Sequence, residues 1–117
     1  MSGIDQETEE RNGVMHARMA RYTFIGDPQD LARKAEDGML PLFEAEPGFK
    51  GYSITSSQGE IISFSIWDTA EQAEAANAVS RDWVANNLGV GQLELKETRV
   101  GEILLSTVLG VPAGSAV

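Results

Sequence analysis

Two strand-like segments, 49–55 and 60–67, are joined only by Ser56-Ser57-Gln58-Gly59, and this pairing constrains the chain more than any other feature. A link so short, polar and glycine-containing lets the segments meet only as an antiparallel hairpin, with the register set by the turn. Helical patterns flank the hairpin on both sides. Upstream, Leu31, Ala35, Met39, Leu42 and Phe43 recur at helical spacing behind Asp27-Pro28, a capping residue followed by a proline suited to the first turn. A helix is predicted over 28–44, kinked near Pro41, where the backbone donor is missing. Downstream, Asp68 and Glu71 stand three apart like a capping box, and Ala73, Ala76, Val79, Trp83 and Val84 follow along one helical face. A second helix is predicted over 69–88, ending at Gly89, with Trp83 in the core or a dimer interface.

The segment 16–25, HARMARYTFI, reads as a first strand that stops at Gly26-Asp27-Pro28. The stretch 95–108 reads as the last strand, its most continuous apolar part being Ile103-Leu104-Leu105. The order is therefore β-α-β-β-α-β. Short connections and right-handed crossovers turn that order into an α+β, ferredoxin-like domain, with a four-stranded antiparallel sheet and both helices on one face. The other face carries apolar residues from several strands, more than a monomer normally leaves in water, so something is expected to cover it.

The chain has 117 residues, enough for one domain with a real core and too few for two ordinary ones. With 18 acidic and 9 basic side chains its net charge is −9, which repels phosphate backbones and anionic lipid, so neither nucleic acid nor a membrane is expected as partner. Without cysteine there are no disulfides and no thiolate sites, which fits a cytoplasmic setting. Residues 1–14 have no apolar run and read as a disordered acidic arm, with Met15 a second candidate start. Residues 15–109 read as the folded domain and 110–117 as a flexible tail.

Two motifs give these elements a resemblance. Glu46-Pro47-Gly48-Phe49-Lys50-Gly51-Tyr52 resembles the "PGF-x-G-Y" lead-in to the second strand of the antibiotic biosynthesis monooxygenase family. Ser65-Ile66-Trp67-Asp68-Thr69-Ala70-Glu71 resembles that family's "S-x-W-x-S/T-x-E" passage into the second helix. The resemblance spans roughly 15–107, and its motifs speak for fold more than chemistry, since Pro47 and Gly48 end a helix and Asp68 or Thr69 caps the next. It implies a homodimeric α+β barrel in which two sheets pack face to face. It also implies a small apolar or aromatic ligand, such as a phenol, anthrone or quinol. Members range from cofactor-independent oxygenases to haem-degrading enzymes, and related barrels act as isomerases.

Alternation places Trp67 on one face with Ser63 and Ser65, an aromatic wall beside two hydroxyls, and the resemblance implies that this tryptophan lines the substrate pocket. The competing reading is that Trp67 packs at the strand end. Ser63 stands where the oxygenases often carry asparagine, and Asn77 stands where the haem-degrading members place their iron-ligating histidine. No haem, metal or other cofactor is therefore expected. His16, the single histidine, is a candidate base at the rim of the first strand. Arg18 and Arg21 fall on opposite faces of that strand, and Arg21 is the preferred candidate for stabilising an oxyanion in the pocket. Tyr22 and Tyr52 are candidate ligand contacts that also suit ordinary packing. Gly89-Val90-Gly91 lacks the lysine and the strand-to-helix context of a phosphate loop. The two functions left open are a cofactor-independent monooxygenase and a non-catalytic ligand-binding or accessory dimer, with an isomerase a weaker third.

Overall fold

Four strands in the order β2-β3-β1-β4, every neighbouring pair antiparallel, form a single sheet in the computed structural model, which describes residues 14–114. The strands are β1 (His16–Phe24), β2 (Phe49–Ser57), β3 (Glu60–Trp67) and β4 (Leu93–Glu102). Most of the expected acidic arm, and residues 115–117 of the expected tail, lie outside the described residues. The hairpin forms as predicted but its turn is tighter. Ser57 pairs with Glu60, and only Gln58 and Gly59 turn the chain, both at positive φ, as a two-residue type I′ turn demands.

The first helical run is α1 (Pro28–Lys34), a π-helical stretch (Ala35–Met39) and α2 (Leu40–Glu44). Asp27 accepts a hydrogen bond from the Gln29 backbone N–H at 2.9 Å, with Pro28 in the first turn. The distortion expected at Pro41 appears one turn earlier. Pro41 offers no N–H, and its ring would meet the carbonyl of Asp37, so the wider turn in which Leu40 N–H bonds to Ala35 O makes room for it.

The long helix α3 (Ala70–Asn87) is capped by Thr69 and Gln72 rather than by the expected Asp68 and Glu71. The Thr69 hydroxyl accepts from Gln72 N–H, and the Gln72 side chain accepts from Thr69 N–H, each at 3.1 Å. Gly48, at φ 82°, lies directly against that Gln72 amide. The "PGF" turn and the helix cap are thus one joint, because only a residue without a Cβ lets the chain reach β2 past the capping side chain. Replacing Gly48 by Ala is expected to cost about 1–3 kcal/mol through combined overlap and left-handed strain. A urea-unfolding midpoint equal to that of the parent chain would refute the joint.

Both helical runs cover the same sheet face. Its main core joins Ala35, Met39 and Phe43 to Ala73, Ala76 and Trp83 above Trp67 of β3, and a second core gathers Ala20, Tyr22, Leu31 and Ile61. Trp83 is therefore a core residue. The opposite face bears Ala17 and Met19 of β1 with Ile62, Phe64 and Ile66 of β3, and among the described residues no helix packs there; Phe64 is 42% exposed.

The last strand departs from expectation at both ends: it starts at Leu93 and stops at Glu102, leaving Ile103-Leu104-Leu105 outside the sheet. The cause is the length of its partner. Glu102 already faces His16, the first residue of β1, and just beyond it Ile103 N–H makes one last bond along that edge, to the Met15 carbonyl. The apolar run that looked most strand-like has no strand left to pair with, and Leu104 and Leu105 are 66% and 64% exposed.

Candidate functional site

Alternation along β1 aims Arg18, Ala20 and Tyr22 toward the helices and Arg21 away from them. This reverses the expectation that Arg21 lies at the pocket. Arg21 sits half-exposed on the uncovered face, its Nη1 2.9 Å from Glu60 and its Nε 3.6 Å from Glu97. The Glu97 carboxyl is held below its ordinary range by the hydrogen bond from Arg99, with Arg21 adding to the effect.

Arg18 is the buried cation, 2% exposed. Its Nε donates to Asn77 Oδ1 of α3 at 2.5 Å, and among the described residues it makes no ion pair. A guanidinium taken out of water and met only by a neutral amide carries a desolvation cost of several kcal/mol that Asn77 does not offset. One helical turn along α3, the Ser80 hydroxyl lies 3.0 Å from the Tyr22 hydroxyl. These four polar side chains border a cavity of about 280 Å³ between α3 and strands β1 and β4. Val84, Leu93 and Leu95 supply its apolar wall and Arg81 stands at its edge; among the described residues no carboxylate lines it. The volume lies near the lower end of the range of ligand sites, about 300–1,000 Å³.

A second space of about 20 Å³, room for roughly one water, lies deeper, between the sheet and the first helical run. Ser63, Tyr52, Ile54 and Met39 border it, and Tyr22 and Leu93 stand in the walls of both spaces. Burial, reinforced by the neighbouring Tyr22, pushes the Tyr52 phenol well above its ordinary value, while Arg18 opposes the shift. A raised folded-state value means that Tyr52 supports folding fully below about pH 10 and that this support fades as the unfolded phenol ionises above it. Tyr52→Phe should accordingly flatten the alkaline limb of a stability-versus-pH curve, and an unchanged limb would count against the burial.

Trp67, Ser63 and Ser65 do share one sheet face, as alternation required. The shared face is packed, however. Trp67 is 1% exposed, its Nε1 donates to Ser65 Oγ at 2.8 Å, and its ring meets Phe43 and Phe49 edge-on at 5.4 and 5.3 Å. It borders neither of the two cavities, nor does Ser65. His16 also stands apart from both: it is half-buried opposite Trp67, with its Nδ1 3.1 Å from the Val14 carbonyl. Of the expected site residues the large cavity thus keeps Tyr22, and Ser63 and Tyr52 border the small one. Sequence reasoning passed over Arg18, Asn77 and Ser80 as a group. Asn77 and Ser80 are the polar interruptions on the inward side of α3, and that was the available signal.

The described residues thus define a small ferredoxin-like α+β domain with a basic, hydroxyl-bearing cavity under its long helix. No protein-family model matches the chain, and no curated protein matches it either. Solved structures do. MupZ from Pseudomonas fluorescens superposes with a TM-score of 0.58 at 8% identity over 74% of this chain, which spans 66% of MupZ. A proposed antibiotic biosynthesis monooxygenase from Chloroflexus aurantiacus aligns with a TM-score of 0.56 at 17% identity, covering 79% of this chain and 95% of its own. SnoaB, a cofactor-independent oxygenase from Streptomyces nogalater, aligns with a TM-score of 0.52 at 14% identity, covering 83% and 98%. The fold is that of the antibiotic biosynthesis monooxygenases. Among the described residues, no helix is long and apolar enough to cross a membrane.

Proposed function

We propose that this protein is a cofactor-independent monooxygenase acting on a small, electron-rich aromatic molecule held in the Arg18 cavity. The carrying observation is a buried guanidinium, without a carboxylate partner, facing an apolar-walled space beside two hydroxyls. Such a group stabilises an oxyanion more strongly than water does and so makes a bound phenol or enol a stronger acid. In the proposed reaction the substrate anion meets dioxygen directly. The ring carbon para to the ionised oxygen, a methylene in the keto tautomer, becomes a carbonyl: one oxygen atom enters it, the other leaves as water with the two hydrogens, and the substrate supplies all four electrons.

Among the described residues no histidine or carboxylate lines the cavity, which favours substrates that ionise readily once Arg18 is near. That same observation supports the second reading, a binding or accessory protein that holds an anion without transforming it. We further infer a homodimer formed through the uncovered face of Ala17, Met19, Ile62, Phe64 and Ile66. The lack of cysteine suits a cytoplasmic setting.

Oxygen-electrode traces against anthrones, naphthols and quinols, taken with sedimentation equilibrium and no added metal or flavin, test the proposal. Uptake by a dimer is the expected result. A silent dimer that still gains thermal stability with ligand would replace oxygenation by binding, and a monomer would remove the dimer.

A further inference from the structure

Arg18 and Arg81 both line the cavity, and among the described residues no acidic side chain does. In a protein of net charge −9, that local reversal of sign needs a reason of its own. Arg18 lies at the wall, fixed by Asn77. Arg81 follows Asn77 by four residues on α3, so its stem rises from the same helix face about one turn, roughly 6 Å, further along. Arg81 makes only an exposed contact with its sequence neighbour, Asp82 Oδ1 at 3.5 Å from its Nε, an arrangement that costs little to exchange. Leu93, Leu95 and Val84 fill the wall around these two guanidinium groups.

We propose that the cavity selects a hydroxyaromatic carboxylate, with the hydroxyl oxygen on Arg18 and the carboxylate on Arg81. This rests on reading the Arg18 cavity as the ligand site, and it names the substrate class. One acidic oxygen is the group that reacts, and the second is a permanent charge that orients it. Guanidinium and carboxylate match as a two-point fork, which fixes the ring plane against the apolar wall. The volume of about 280 Å³ suits one or two fused rings rather than a longer polycycle.

Calorimetric titration of the full chain with 4-hydroxy-2-naphthoate, whose hydroxyl and carboxylate are too far apart to bond to each other, and with 1-naphthol tests the assignment. The acid should bind about tenfold tighter than the neutral phenol. Arg81→Gln, at a side chain 74% exposed, should reduce that preference to within about twofold by removing the carboxylate's partner. Naphthol binding as tightly as the acid, a preference that survives Arg81→Gln, or no binding of either compound would overturn the assignment. Oxygen uptake read on the same samples separates the two proposals. A carboxylate preference without uptake supports the ligand class and sinks the oxygenase, whereas uptake without preference does the reverse.

Discussion

Arg18→Met is expected to lower kcat/KM for oxygen uptake by about 10²–10³-fold, the usual effect of removing one group that stabilises a developing oxyanion. Stability should move the other way. A buried cation with only Asn77 as partner is a net burden on folding, and methionine keeps much of the stem's volume while removing the charge. An unchanged or raised Tm together with a collapse of activity would identify Arg18 as retained for the ligand. A fall in Tm of several degrees with activity intact would show it to be a structural residue with an unseen counter-charge.

Trp67→Ala should do the opposite, acting on the fold first. The indole sits at the centre of the aromatic cluster formed with Phe43 and Phe49, and Phe43 in turn meets Tyr52 edge-on at 5.2 Å. Truncation removes those contacts and strips Ser65 Oγ of its donor. A loss of about 3–5 kcal/mol follows from comparable core deletions. Against a total of about 5–15 kcal/mol, that is enough to lower Tm by more than 10 °C. Differential scanning calorimetry decides the matter. A near-parental Tm combined with lost turnover would return Trp67 to the wall of a ligand site, the role that the family resemblance implied for it.

The two arginines of β1 show what the sequence made legible and what it did not. Turn chemistry and helix caps are local, so the hairpin, the helix starts and the β-α-β-β-α-β order could be read directly. Strand parity is also local, which is why Trp67, Ser63 and Ser65 fell on one face as expected. Which parity turns inward is a tertiary decision, and β1 disguises it. Its helix-facing residues are Arg18, Ala20 and Tyr22, while the uncovered face takes Ala17 and Met19, so hydrophobicity alone points the wrong way. The end of β4 failed for a related reason. Ile103-Leu104-Leu105 has strand composition, but pairing requires a neighbour, and β1 has already begun at His16.

Tyr22 and Leu93 form the partition between the large cavity and the small one, and neither belongs to a turn or a cap. The backbone of β1 and β4 is held by the ladder whatever side chain stands at these two positions. Shortening either one would open the inner space to the outer without rebuilding the sheet. The range of molecules that this scaffold can take is therefore adjustable one residue at a time, so chains that share its outline can differ widely in what they hold.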